Sequence, residues 1–85
     1  MLLNIIAPEK TLFEAEAEMV TIPGTEGVFG VLPRHVPFIS SLKAGTIIID
    51  MADGKQQKIE VTDGFAEVTP ERVTVLISSA LPLGG

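Results

Sequence analysis

The side chains in this sequence that could carry out chemistry are few, and His35 is the only histidine among 85 residues. A histidine can activate a serine for hydrolysis when a carboxylate orients it, and the chain offers serines at positions 40, 41, 78 and 79. None of these serines lies in the G-x-S-x-G turn that presents the nucleophile in many hydrolases. The sequence therefore predicts no catalytic residue.

Two further motifs look like binding sites for charged ligands but lack the required spacing. Residues 24–30, GTEGVFG, have neither the lysine of a P-loop nor the G-x-G-x-x-G spacing of a dinucleotide site. Glu14, Glu16 and Glu18 alternate with apolar residues. That spacing on a strand puts neighbouring carboxylates about 7 Å apart, too far to share one Ca²⁺ ion without loop ligands. We therefore predict no cofactor site and no metal site.

Lys55 tests whether the chain carries a covalently attached cofactor. Biotinyl and lipoyl carrier domains are acidic all-β modules of similar length, and they present a modified lysine at a hairpin tip. Lys55 follows the turn signal Asp53-Gly54, but its neighbours are Gly54 and Gln56. The carrier families instead flank their lysine with Met on both sides or with Asp and Ala. A carrier module stays an alternative, as does a free-standing ligand-binding β-domain.

Composition narrows the class of protein. The net charge is −5, and the six Lys and Arg residues are scattered singly. This argues against a nucleic-acid partner, because phosphate binding needs a basic patch. The absence of cysteine excludes disulfides and thiolate zinc sites. We recognise no signal peptide and no run of roughly 18 apolar residues that could span a membrane. Residues 1–85 are expected to form one domain.

The pattern of turns and apolar residues predicts an all-β fold. Turn signals recur at the spacing typical of sandwiches and barrels, and the runs between them are short and rich in Val and Ile. Residues 51–56, MADGKQ, are expected to form a hairpin with a type I′ turn at Asp-Gly. Residues 9–19 alternate with a period of two, which favours an edge strand with a charged outer face over a helix.

The same alternation predicts which side chains form the core. In residues 72–78, for example, Val75 and Ile77 share one face while Thr74 and Leu76 share the other. The expected core residues are Ile5, Val20, Ile22, Ile48, Ile59, Val61, Phe65, Val68, Val75 and Ile77.

Residues 25–40, TEGVFGVLPRHVPFIS, hold more large apolar side chains than one face of a strand pair can bury. Only alternate residues of a strand face the core, so part of the set is expected on an outer surface. Pro33 and Pro37 stiffen the segment, and Arg34 and His35 would form the polar rim of an apolar interface. The alternative is a hairpin connection in which His35 is satisfied within its own loop. The apolar residues are Val28, Phe29, Val31, Leu32, Val36, Phe38 and Ile39.

Residues 24–37 follow the pattern G-x-x-G-x-x-x-x-x-P-x-H-x-P, and in this they resemble the ε subunit of F-type ATP synthase. Two further blocks are similar to that family in the right order and spacing. Residues 3–24, LNIIAPEKTLFEAEAEMVTIPG, look like its first strands, and residues 61–80, VTDGFAEVTPERVTVLISSA, look like its closing segment. The resemblance covers essentially the whole chain.

The resemblance implies a ten-stranded flattened β-sandwich or barrel of two sheets at the foot of the central stalk. There the domain would bind the γ subunit and the c-ring and turn with the rotor. It would not be an enzyme itself, but an accessory subunit that couples ion translocation to ATP synthesis. It would lie peripherally on the cytoplasmic face of the bacterial inner membrane, or on the equivalent face in an organelle.

Two departures from the family bear on the expected site. Most members continue into two C-terminal helices that can inhibit ATP hydrolysis. This sequence ends where they would begin, so we expect neither the helical hairpin nor that inhibition. Position 28, often polar or acidic in relatives that face the c-ring, is valine, which moves the expected ionic contacts to Glu26 and Arg34. We expect His35 at or near γ and residues 26–28 nearer the ring. The expected partner-binding residues are Glu26, Gly27, Val28, Leu32, Pro33, Arg34, His35 and Phe38.

Overall fold

The computed structural model describes residues 1–78, and every regular element in that range is a β-strand. This confirms the all-β prediction, with nine strands in the described range where the resemblance implies ten. No helix in this range is long and apolar enough to cross a membrane. The expected end of the domain, residues 79–85, lies outside the described residues. The strands are β1 (Leu2–Ala7), β2 (Lys10–Glu16), β3 (Met19–Gly24), β4 (Gly27–Val31), β5 (Phe38–Leu42), β6 (Gly45–Asp50), β7 (Gln56–Val61), β8 (Gly64–Val68) and β9 (Arg72–Ile77).

The strands form one curled sheet that folds into two layers. β2, β1, β9, β8 and β5 lie side by side in a five-stranded layer, in which β1 and β9 are parallel and the other pairs are antiparallel. β4, β3, β6 and β7 form an antiparallel four-stranded layer. The layers join where Gly24 of β3 lies opposite Leu42 of β5. The architecture is therefore a β-sandwich with the curvature of a half-barrel.

The core between the layers is aliphatic, as expected from a composition rich in Val, Ile and Leu. No polar side chain in residues 1–78 is fully buried, so the layers are held together by apolar burial rather than by internal ion pairs. Seven predicted core residues are confirmed as buried: Ile5, Val20, Ile22, Val61, Val68, Val75 and Ile77.

The core prediction is wrong for Ile48, and for Ile59 it is met only in part. β6 contains three consecutive isoleucines, so its alternation fits either phase, and the structure buries Ile47 and Ile49 while Ile48 faces outward, half-buried. Ile59 points toward the core but is only half-buried. It lies on β7, an edge strand with neighbours on one side, so no further strand covers it.

Phe65 is also wrongly predicted, because it is 58% exposed. In β8 the buried residues are Ala66 and Val68. Phe65 and Val68 are three positions apart, and an odd spacing puts two side chains of a regular strand on opposite faces. Phe65 therefore points outward, and the smaller side chain of its neighbour Ala66 points into the core.

The hairpin between β6 and β7 has a five-residue loop, residues 51–55, rather than the expected type I′ turn. A type I′ turn needs a positive φ at both central residues. Gly54 has φ 85°, but Asp53 is not among the residues with positive φ. Instead, the Gly54 N–H donates to the Met51 carbonyl at 3.1 Å, and Asp53 Oδ1 accepts the Lys55 N–H at 2.9 Å.

β2 lies at an edge of the five-stranded layer, as predicted, with Glu14 and Glu16 exposed. The strand is shorter than the expected residues 9–19. It ends at Glu16, and the N–H of Ala17 then donates to the Met1 carbonyl at 2.8 Å. Exposed carboxylates on an edge strand oppose pairing with another sheet.

We expect Gly64→Ala to lower the free energy of unfolding by about 3 kcal/mol, because φ is 149° there and a Cβ would overlap the Leu76 carbonyl oxygen. Gly54→Ala is the matched control, since its φ of 85° is also positive but a Cβ would meet open space. The control should cost about 1 kcal/mol. Urea unfolding followed by circular dichroism measures both, and equal losses would contradict the packing described for Gly64.

Candidate functional site

The predicted partner-binding residues lie at the two ends of β4. Glu26 belongs to the turn that joins β3 to β4, where Gly24 pairs with Gly27. The turn is fixed from outside the hairpin, because the Thr25 N–H donates to the Ser41 carbonyl at 3.0 Å and the two hydroxyls lie 2.8 Å apart. Glu26 is thus an exposed carboxylate on an anchored turn.

β4 itself presents one face to the core and one to solvent. Val31 is buried and Phe29 half-buried, whereas Val28 is 67% exposed and Gly30 is exposed. The prediction that the apolar residues of this segment exceed what a strand pair can bury is therefore confirmed. The outward face carries no charged side chain between Gly27 and Val31.

The loop of residues 32–37 forms the second exposed group. Leu32 and Val36 are 56% and 69% exposed. Arg34 has φ 68°, a conformation that non-glycine residues rarely adopt. Its N–H donates to the Pro70 carbonyl at 2.9 Å, so the loop is tied to the β8–β9 connection. The arginine side chain is exposed at the loop tip.

His35 and Phe38 are less exposed than an interface built on them would require. His35 is half-buried, and its ring centroid lies 5.1 Å from that of Phe38. His35 Nδ1 lies 3.0 Å from the Val36 carbonyl, and since a carbonyl can only accept, Nδ1 donates this bond. One ring nitrogen is therefore satisfied within the loop, as the alternative interpretation of this residue expects.

Phe38 packs edge-to-face on Phe29, with ring centroids 5.3 Å apart, and both rings contact the core. Phe38 thus joins the loop to the sandwich, and the exposed apolar residues of the loop are Leu32 and Val36. The two ends of β4 are separated by about 13 Å, given a rise of about 3.3 Å per residue.

Sequence reasoning missed a second apolar surface, on the outer face of the five-stranded layer. Phe65 lies beside Leu76 of the neighbouring strand, and Leu76 is 52% exposed. Ile39 of β5 is 70% exposed on the same face. The alternation in residues 72–78 correctly predicted that Leu76 faces away from the core. The wrong assignment of Phe65 to the core concealed that the two residues form a pair.

Lys55, the candidate carrier lysine, is exposed in the loop of residues 51–55 that connects β6 to β7.

Comparison with known proteins gives one family over nearly the whole chain. The family described as ATP synthase, delta/epsilon chain, β-sandwich domain matches residues 1–83. Curated relatives named ATP synthase epsilon chain include those of a Sulfurovum species, 38% identical over 85 residues, and of Rhodospirillum rubrum, 44% identical over 80 residues. These alignments cover 100% and 94% of this chain, but 66% and 60% of the relatives. The chain thus spans less than two thirds of their length.

Solved structures show the same fold. A chain in the cryo-EM structure of the Euglena gracilis mitochondrial ATP synthase, OSCP/F1/c-ring, matches with a TM-score of 0.87 and 26% identity. The match covers 95% of this chain and 52% of that one. A chain of the Tetrahymena thermophila mitochondrial ATP synthase, central stalk/c-ring, matches with a TM-score of 0.76 over 94% of this chain and 64% of that one. At 10% identity this second likeness shows the fold alone.

We expect Phe38→Ala to destabilise the isolated domain by about 2 kcal/mol, because it removes the ring contact with Phe29 and part of the core. Val36→Ala, at an exposed position of the same loop, should change stability by less than about 0.5 kcal/mol. Thermal unfolding of both variants checks the difference. A Phe38 variant as stable as the Val36 variant would show that Phe38 does not anchor the loop.

Proposed function

This chain belongs to the β-sandwich family of ATP synthase delta/epsilon chains, and we propose that it is a non-catalytic subunit of the central stalk. In this role it binds the γ subunit and the c-ring, turns with the rotor and helps to couple ion translocation to ATP synthesis. It is held peripherally at the membrane through the complex, on the cytoplasmic face in a bacterium. The observation that carries the proposal is the match, at a TM-score of 0.87, to a chain of a solved ATP synthase complex.

The two ends of β4 support a role in connecting partners. We assign the turn around Glu26 and Val28 to the c-ring, and the loop of residues 32–37 to γ. Their separation of about 13 Å allows two partners to be contacted at once. Val28, Leu32 and Val36 supply exposed apolar surface, and charge-poor centres with polar rims are typical of protein interfaces.

A connecting subunit in a rotor must resist deformation between its two contact regions. Both regions here are tied to neighbouring strands, the turn through Thr25 and Ser41 and the loop through Arg34 and Pro70. β4 between them is hydrogen-bonded along one side to β3. A force applied at one end is therefore transmitted through backbone hydrogen bonds and a packed core, which deform little. This function needs no catalytic group in the chain.

Leu32→Asp should weaken the binding of γ at least tenfold, because it places a charge in apolar interface surface. Leu76→Asp is the matched control. Leu76 is 52% exposed and Leu32 56% exposed, but Leu76 lies on β9, away from the proposed contact with γ. A tagged chain incubated with solubilised membranes of its host should recover ATP synthase subunits, and the control should recover them equally. Failure of the unmodified chain to recover γ would refute the proposed function.

Arg34→Ala should act mainly on the association rate with γ, because an exposed rim charge steers encounter more than it holds the complex. The variant should slow association about threefold at low salt, and the difference should vanish above about 0.5 M salt, where the charge is screened. Surface plasmon resonance at several salt concentrations measures this. A change confined to the dissociation rate would place Arg34 at the centre of the contact instead of at its rim.

A further inference from the structure

The chain contains two Asp-Gly pairs, Asp53-Gly54 and Asp63-Gly64, and the fold holds them in different ways. An Asp-Gly pair is prone to a spontaneous rearrangement, because glycine has no side chain to obstruct the approach of its backbone nitrogen to the preceding carboxyl group. Neither pair takes part in the proposed function. The structure determines which of the two can react while the chain is folded.

The rearrangement is an isomerisation that needs no co-reactant except water. The glycine nitrogen forms a bond to the aspartate Cγ and loses its proton, while the Cγ–OH bond of the carboxyl group breaks, so that one water leaves. Water then opens the resulting five-membered succinimide ring. Addition to Cγ restores aspartate. Addition to the main-chain carbonyl carbon breaks its bond to nitrogen and gives isoaspartate, in which the chain continues through Cγ.

Asp53-Gly54 lies in the loop of residues 51–55, and both residues are exposed. The carboxylate is held beside its own following backbone, because Asp53 Oδ1 accepts the Lys55 N–H at 2.9 Å. The attacking nitrogen donates to the Met51 carbonyl at 3.1 Å. Water can replace this bond, since the loop lies outside the strands and segments with exposed hydrogen bonds open readily. A Cβ on Gly54 would meet open space, so the loop has room to rotate.

Asp63-Gly64, in contrast, is held by the sheet. Gly64 begins β8 and is paired on both sides, opposite Leu42 of β5 and Ile77 of β9. It also lies against the Leu76 carbonyl, which leaves no room for a Cβ. Ring closure requires rotation about the Asp63 Cα–C bond, and this rotation would separate β8 from its neighbours. The reaction here therefore requires unpairing of inner strands, which is rare in a native protein.

We propose that Asp53 is a site of spontaneous isomerisation to isoaspartate in the folded chain, and that the pairing of β8 protects Asp63. The position of the glycine distinguishes the two sites, because it lies in an exposed loop in one pair and between two strands in the other. Isoaspartate adds one carbon to the backbone of the loop and removes the carboxylate that accepts the Lys55 N–H. β7 is an edge strand, so the altered loop leaves the core in place.

Ageing of the purified full chain at physiological temperature and neutral pH, with and without guanidinium chloride, tests the proposal. Trypsin separates the two pairs into the peptides of residues 44–55 and 59–72. Isoaspartate in each peptide is labelled with isoaspartyl methyltransferase and S-adenosylmethionine and measured by mass spectrometry. The rate in the folded chain, divided by the rate in the denatured chain, should be at least tenfold higher for Asp53 than for Asp63.

Asp53→Glu is the matched control, because it keeps the charge and Gly54 but would have to close a less favourable six-membered ring. It should remove most of the labelling in residues 44–55 and leave that in residues 59–72 unchanged. Circular dichroism of the aged chain should match that of the fresh chain. Equal protection of the two sites, unfolding during ageing, or labelling that persists in the variant would overturn the proposal. None of these measurements involves another subunit, so their failure would leave the central-stalk role standing.

Discussion

The sandwich depends on the change of partner that β3 makes along its length. Its first residues, 19–21, pair with β6 in the four-stranded layer, whereas Gly24 lies opposite Leu42 of β5 in the five-stranded layer. β3 therefore connects the two layers. A Cβ on Gly24 would come within 2.8 Å of both the Gly27 carbonyl oxygen and a ring carbon of Phe29. The hairpin and the ring can close on the strand because the side chain is absent. With this crossing in place, a single aliphatic core serves both layers.

The same crossing explains why the candidate surface lies at one corner of the molecule. β4 folds back on β3, and the chain then passes from the four-stranded layer to β5 in the other layer through residues 32–37. Phe29 before this loop and Phe38 after it meet edge-to-face, so the loop closes over its own anchors. Leu32 and Val36 of the loop lie outside that contact and are exposed to solvent. The exposed apolar residues of the loop therefore lie in the segment that carries the chain from one layer to the other.

Alternation in the sequence predicted the fold and part of the core, and it failed where alternation is ambiguous. The first four residues of β9, Arg72 to Val75, alternate polar and apolar side chains, so its phase was predictable. Three consecutive isoleucines in β6 carry no phase, and only pairing with β3 settles which of them are buried. The surplus of apolar residues correctly predicted an exposed group in residues 28–39. It could not show that Phe38 belongs to the anchors, because that contact joins two strands across a loop. The positive φ of Arg34 was equally unpredictable, since it is supported by the distant carbonyl of Pro70.

The treatment of the sheet edges connects the fold with its proposed role. β2 and β7 bear Glu14, Glu16, Lys58 and Glu60, which suits edges that always face water. The same charges on β4 would oppose partner binding, because the centre of an interface is depleted in charge. An edge that must bind cannot also be guarded by charge, so its protection has to come from an occupant. In the proposed role that occupant is another subunit of the rotor.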